Sequence, residues 1–191
     1  MTGEKFTEVL KLIDTANGAD PEAGMDGAAS HPAALLYGWR MSAELVGFRA
    51  DASEHLRIAV RGQHIERWKL ARDSYPQGRE GYLAWRRDQG RFHADRVAGL
   101  MRDAGYEKQD RDRVARIVRK EGIKRDAEVQ VLEDVAALVF LRWYCADFAA
   151  GRDSEQICRI VAKTARKMSA EGRAAAARLD LPAELAPALK V

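Results

Sequence analysis

The run VQVLEDVAALVFLRWYCADF, Val129 to Phe148, constrains the fold more than any other part of the chain. It is almost wholly apolar and aromatic, and it contains neither Pro nor Gly. A helix buried on most of its circumference is the simplest structure that satisfies such a backbone. Inside the run Glu133 and Asp134 stand side by side. A buried ionised carboxylate is costly unless another group pairs with it, so partners must come from elsewhere in the chain. Adjacent helix positions point about 100° apart, so the two carboxylates need different partners. The expectation is that Asp134 looks inward to His64 and His93, and that an Arg or Lys of a neighbouring helix holds Glu133.

Helical periodicity recurs through the rest of the sequence and strand patterns do not. Helices are expected over 4–16, 33–48, 54–69, 81–104, 110–121 and 126–151, with a seventh capped by Asp153 and an eighth in the Ala-rich GRAAAARL. The segment NGADPEAGMDGAASHP, 17–32, is rich in Gly, Asp and Pro and is expected to be a loop, of the kind that walls or covers a site. Residues 180–191 form a Pro-punctuated tail. With 191 residues and no internal repeat, the expectation is one all-α domain over 1–191, a helical bundle.

Composition narrows the function classes. Hydrophobic residues make up 47% and charged residues 32%, which suits a globular chain without membrane spans. The N-terminal MTGEKFTEVLKLID lacks the shape of a signal peptide, so a cytoplasmic location is expected. Cys145 and Cys158 have no metal-ligand spacing and read as packed thiols. Most of the 32 basic residues are Arg, the side chain best matched to carboxylate and phosphate, yet the net charge is only +3. That balance suits a small anionic ligand and does not suggest nucleic acid as a partner.

Several chemically capable side chains fall on helices that must also supply the core. Helical spacing aligns Arg57, Arg61, His64 and Trp68, with Gln63 adjacent, and separately Arg86, Gln89 and His93. In LLYGWRMSAEL it brings Tyr37, Arg40 and Met41 to one face. The connector KEGIKRD, with Lys120 and Glu121, is either a solvated turn or the rim of a pocket.

The order LRIAVRGQHIERW, FHADRVAGLMRDAGY, VARIVRKEG and VQVLEDVAALVFL resembles the helical succession of the HD-domain metal-dependent phosphohydrolase superfamily. That resemblance implies a metal site made of an early His, a His-Asp pair and a late Asp. Asp134 falls at the late Asp, His93 near an additional His, and Gln63-His64 at the His-Asp pair. Tyr37 stands at the early His, and Lys120 or Glu121 at a further one. A closer resemblance, carried by LYGWRMS, RGQHIERW, SYPQGREGYLAWR, FHA, RKEGIKRDAEVQVLEDVAALVFL and KTARKMS, is to an uncharacterised family catalogued as domain of unknown function 4202. It implies a shared structure and site without a reaction.

Two functions follow as expectations. In the first, His64, His93 and Asp134 hold a divalent Mn, Fe or Zn, and Glu133 or Glu121 acts as general base. Arg40, Arg61 and Arg67, with Tyr37, Gln63 and Trp68, would then bind a small phosphorylated or anionic substrate for hydrolysis. In the second, the chain is a metal-free nucleotide- or anion-binding module on an eroded HD scaffold, with Arg40, Arg61, Arg67 and Arg72 on the anion and Trp68, Tyr75, Tyr82 or Trp85 stacking on a ring. The oligomeric state is left open by both.

Overall fold

The structure, a computed structural model, describes residues 2–182 and 185–189. The chain begins with α1 (Thr2–Asn17), a hairpin of β1 (Ala23–Asp26) and β2 (Ala29–Pro32), α2 (Ala33–Phe48) and α3 (Glu54–Gly62). Two 3-10 turns, Arg67–Lys69 and Arg72–Ser74, lead into the long α4 (Gly78–Asp103) and then α5 (Lys108–Val118). The second half comprises α6 (Ala127–Val139), a π-helical turn (Phe140–Tyr144), α7 (Cys145–Ala149), α8 (Ser154–Ala165) and α9 (Ala170–Ala176), with a closing 3-10 turn at Ala186–Leu189. The chain is mostly helical, as the periodicity requires. No helix among the described residues is long and apolar enough to cross a membrane.

Short side chains start several of these helices by accepting from otherwise orphaned backbone N–H groups. Ser53 accepts from Leu56 in α3, Asp126 from Glu128 and Val129 in α6, Asp153 from Gln156 in α8, and Ser169 from Gly172 in α9. The apolar faces then meet in two clusters. Val9, Ile13, Met41, Ile58, Val97 and Ile117 centre the first, which draws on α1 to α6. Ile157, Val161, Met168 and Leu185 pack with the C-terminal half of α6 in the second. Helix α6 supplies residues to both clusters, Leu132 and Val135 to one and Ala137 and Leu138 to the other, so it must be buried nearly all round.

Four expectations change. Residues 17–32 are not simply a loop: Ala23 to Asp26 pairs antiparallel with Ala29 to Pro32. Gly27, at φ +59°, opens the two-residue turn between them, a left-handed position at the first central residue that suits tight hairpins. The third helix stops at Gly62 rather than 69. Its successor Glu66 adopts φ +49°, and its buried carboxylate is held by Lys69 at 2.6 Å and Arg96 at 2.7 Å. The long sixth helix is interrupted by the π turn at Phe140–Tyr144, which shifts the facing of every later side chain. Lastly, the tail docks, since Leu185 and Leu189 are buried in the second cluster; its residues 183–184 and 190–191 lie outside the described residues.

Candidate functional site

A cavity of about 710 Å³ opens where α2, α4, α6 and the segment after α3 converge. The turn at Glu66 matters here. By ending α3 early, it carries Arg67 and Trp68 off the helix and into the cavity wall, beside Gln63 and His64. Helix α2 contributes Tyr37, whose hydroxyl donates to Gln63 Oε1 at 3.2 Å and whose ring stacks on His64 with centroids 4.6 Å apart. Helix α4 adds Trp85, Arg86 and Gln89, and the π turn adds Phe140 and Tyr144.

Cations outnumber carboxylates in the lining, with Arg67, Arg72, Arg86, Lys120 and Lys167 against Asp20, Glu22 and Glu133. Arg67 lies with its guanidinium 4.8 Å from the centroid of the Trp85 ring. Burial, followed by the nearby Arg86 charge, lowers its pKa from the usual guanidinium value. Neither Arg67 nor Arg86 has a carboxylate within ion-pair distance among the described residues. Lys120 and Lys167 reach the cavity from the ends of α5 and α8, and both approach Glu133. The Lys120 ammonium donates directly to Glu133 Oε2, while Lys167 stands 3.7 Å from Oε1. Burial alone would raise the Glu133 pKa, but the Lys120 charge and hydrogen bond hold it below the ordinary carboxylate value. Lys120 itself sits at φ +58°, the left-handed position after a helix that usually falls to Gly.

His64 and His93 are both held towards the neutral form. Burial, reinforced by the Arg67 charge, pushes His64 well below the usual imidazole range. His93, behind it, is 2% exposed and is lowered by burial to about 4. Its Nδ1 lies 2.7 Å from the Ile65 carbonyl, and its Nε2 is buried with no partner among the described residues. The two rings are 5.7 Å apart.

The expected site residues divide into two groups. Tyr37, Gln63, His64, Arg67, Trp68 and Glu133 line the cavity together. The other expected members have different work. Arg61 makes a bidentate pair with Asp14, at 2.7 and 2.6 Å, which fastens α3 to α1. Arg40 donates to the Met25 carbonyl at 2.7 Å and packs over Trp143 and Tyr144, tying the hairpin to the π turn. Glu121 is exposed and paired with Arg119 at 2.6 Å, by a separate shallow depression lined by Arg116 and Arg125.

Asp134 likewise does not meet His64 and His93. Its Oδ1 accepts from the Ser169 N–H at 2.8 Å and from Gln130 at 3.1 Å, and its Oδ2 accepts from the Ser169 hydroxyl at 2.6 Å. Of the two adjacent carboxylates, Glu133 is held by a lysine as expected and stands at the cavity, whereas Asp134 turns under α9 instead of towards the histidines. Among the described residues no group of three or more His, Cys, Asp or Glu side chains is placed to hold a metal ion. Of the expected ligands, His64 and His93 are therefore not joined by Asp134.

Sequence reasoning gave no role to Lys167, Thr164 or Tyr144, although KTARKMS contains the first two. Lys120 was legible as part of a connector that is either a solvated turn or the rim of a pocket, and its charge pairing with Glu133 depends on contact between α6 and the end of α5.

The sequence model of the family described as Domain of unknown function (DUF4202) matches residues 7–189. The chain belongs to the DUF4202 family. Nearly every element described above falls inside the matched segment, including all the residues that line the cavity. No curated protein and no solved structure matches the chain significantly. For this DUF4202 member, what the site does must therefore be argued from its chemistry.

Proposed function

We propose that the chain binds a small anionic ligand bearing a planar ring, of the nucleotide class, in the cavity between α2, α4 and α6. The observation that carries this reading is the pair Arg67 and Arg86, two guanidinium groups brought to one cavity with no carboxylate within ion-pair distance among the described residues. Like charges held together in a partly buried site repel, and an anion relieves that cost. A guanidinium also matches phosphate in geometry. The walls support the second half of the reading, because Trp68, Trp85, Tyr37 and Tyr144 present ring surface beside the cations.

The test is a thermal-shift and calorimetric panel of nucleoside mono- and diphosphates, inorganic phosphate and dicarboxylates. Nucleotides should raise the melting temperature of the wild type, and the Arg67→Ala/Arg86→Ala variant should lose the effect. If no anion in the panel shifts the wild type, the reading fails. If dicarboxylates alone do so, the ring-binding half is removed.

A metal-dependent hydrolase on an HD-like scaffold is the second reading. The nitrogen atoms of His64 and His93 favour it, since among the described residues no protein group takes either His64 nitrogen or His93 Nε2. It ranks below metal-free binding because two imidazoles lack a third donor at metal spacing. Elemental analysis of protein purified without chelator separates the two. One equivalent of Mn, Fe or Zn in the wild type, absent from His64→Ala, would reverse the ranking.

A further inference from the structure

Glu133 is one carboxylate shared between two ammonium groups in the cavity wall. Lys120 donates to its Oε2, while the Lys167 ammonium stands 3.7 Å from its Oε1, beyond hydrogen-bond distance. An ammonium carries three N–H donors. Among the described residues Lys120 spends one of them, on Glu133, and Lys167 spends none. A single carboxylate neutralises one of these lysines and leaves the charge of the other unmet.

Arg86 joins this group to Arg67. Burial lowers the Arg67 pKa and the Arg86 charge adds to the shift; burial, opposed by Glu133, lowers that of Lys120, and the charges of Arg86 and Lys167 add to it. Arg86 therefore lies within electrostatic reach of both Arg67 and Lys120. Four cations with one carboxylate among them leave a surplus of three positive charges on this part of the wall. Asp20 and Glu22 line the cavity from the hairpin side, and among the described residues neither is within ion-pair distance of these cations. The Asp20 carboxylate is taken up by the N–H groups of Glu22 at 3.0 Å and Ala34 at 2.8 Å. The backbone gives a second sign. Lys120 occupies φ +58°, where Gly would fit without strain, so the position is kept for its side chain.

Resting on the nucleotide-class reading above, we infer that Lys120 and Lys167 form a second phosphate subsite beside Arg67 and Arg86, and that the ligand is a nucleoside di- or triphosphate. The two guanidinium groups take one phosphate and the two ammonium groups take the next. A monophosphate brings about two negative charges near neutral pH, which leaves part of the surplus unmet. Each further phosphate adds both charge and the oxygen acceptors that the idle N–H groups of the lysines lack. Glu133 holds Lys120 in place and is too few in charge to satisfy the pair, so the lysines select for the length of the phosphate chain.

The experiment measures, by calorimetry at fixed salt and without divalent cations, the 5′-mono- and 5′-diphosphates of adenosine, guanosine, cytidine and uridine. The proteins are the wild type, Lys167→Ala, Lys167→Glu and Lys167→Arg. The Lys167 side chain is 48% exposed, so these changes spare the core. For the nucleoside that binds best, the wild type should prefer the diphosphate by about tenfold or more. Lys167→Ala should reduce that preference to about threefold, Lys167→Glu should abolish it, and Lys167→Arg should keep it. Equal wild-type affinities for mono- and diphosphate overturn the inference and leave nucleotide binding intact. A preference that survives Lys167→Glu also overturns it, because the second phosphate then lies away from the lysines. Absence of binding by all the probes overturns both readings.

Discussion

Glu133 and Asp134 are consecutive on α6, yet their carboxylates serve opposite sides of the fold: Glu133 receives the Lys120 ammonium at the cavity, and Asp134 receives the hydroxyl and the N–H of Ser169 beneath α9. Helix α9 sits so close that a Cβ on Gly172 would lie 2.6 Å from the Asp134 carboxyl. Asp134 is thus a structural anchor. Replacing it with Ala leaves the part-buried Ser169 donors unpaired and should cost about 1 kcal/mol, at the low end of the ~1–3 kcal/mol of a buried unsatisfied group. Ser169→Ala should cost about 1 kcal/mol through the lost cap. Urea unfolding measures both, and ligand affinity should be unchanged in either. Loss of affinity with stability intact would return Asp134 to the site.

The Lys120–Glu133 pair should behave differently. Lys120→Met strands a buried carboxylate, but Lys167 remains 3.7 Å away, so the loss is expected at about 2 kcal/mol rather than the ~3–5 kcal/mol of a fully buried pair. Adding Glu133→Leu should recover most of it, because two apolar groups of similar size need no partner. A double-mutant cycle by denaturant unfolding reads the coupling. Additive losses would show that the pair contributes nothing as a pair.

Arg67→Ala and Arg86→Ala should each weaken nucleotide binding by about 10- to 100-fold, the range for a lost charge-assisted hydrogen bond. Each should change the melting temperature of the free protein only slightly, because relief of their mutual repulsion offsets the loss of the Arg67–Trp85 ring contact or of the Arg86 charge near Glu133. Arg61→Ala is the contrast. It breaks the bidentate contact with Asp14, so it should lower stability and leave affinity alone. Calorimetry and melting curves on the three variants distinguish these outcomes.

Acid sensitivity should centre on Asp126. Hydrogen bonds from Arg113 hold its carboxyl at about 2, against an ordinary value of 3.8. A pKa depressed in the folded state means that stabilisation is complete above the unfolded value and lost as pH falls through 3.8 towards about 2. The stability of the wild type should fall across that window, and Asp126→Asn should flatten the curve. Parallel curves for the two proteins would assign the acid limb to other groups.

The sequence by itself determined the helices and many of their starts, because an apolar period and a capping side chain act within a few residues of chain. Ser53, Asp126 and Asp153 were legible for that reason, as was the face of α4 that carries Gln89 and His93. It also required partners for Glu133 and Asp134. The tertiary structure alone decided which partner went to which carboxylate, since Lys120 and Ser169 arrive 13 and 35 residues away along the chain. The early end of α3 was hidden for the same reason. Local propensity favours continuing that helix, whereas Asn17 binds the Glu66 N–H from 49 residues away and Arg96 holds its carboxylate from 30. Those distant contacts fix the left-handed turn that delivers Arg67 and Trp68 to the cavity. Periodicity records what neighbours along the chain can do, and a site assembled from several helices and the segments between them is settled by packing.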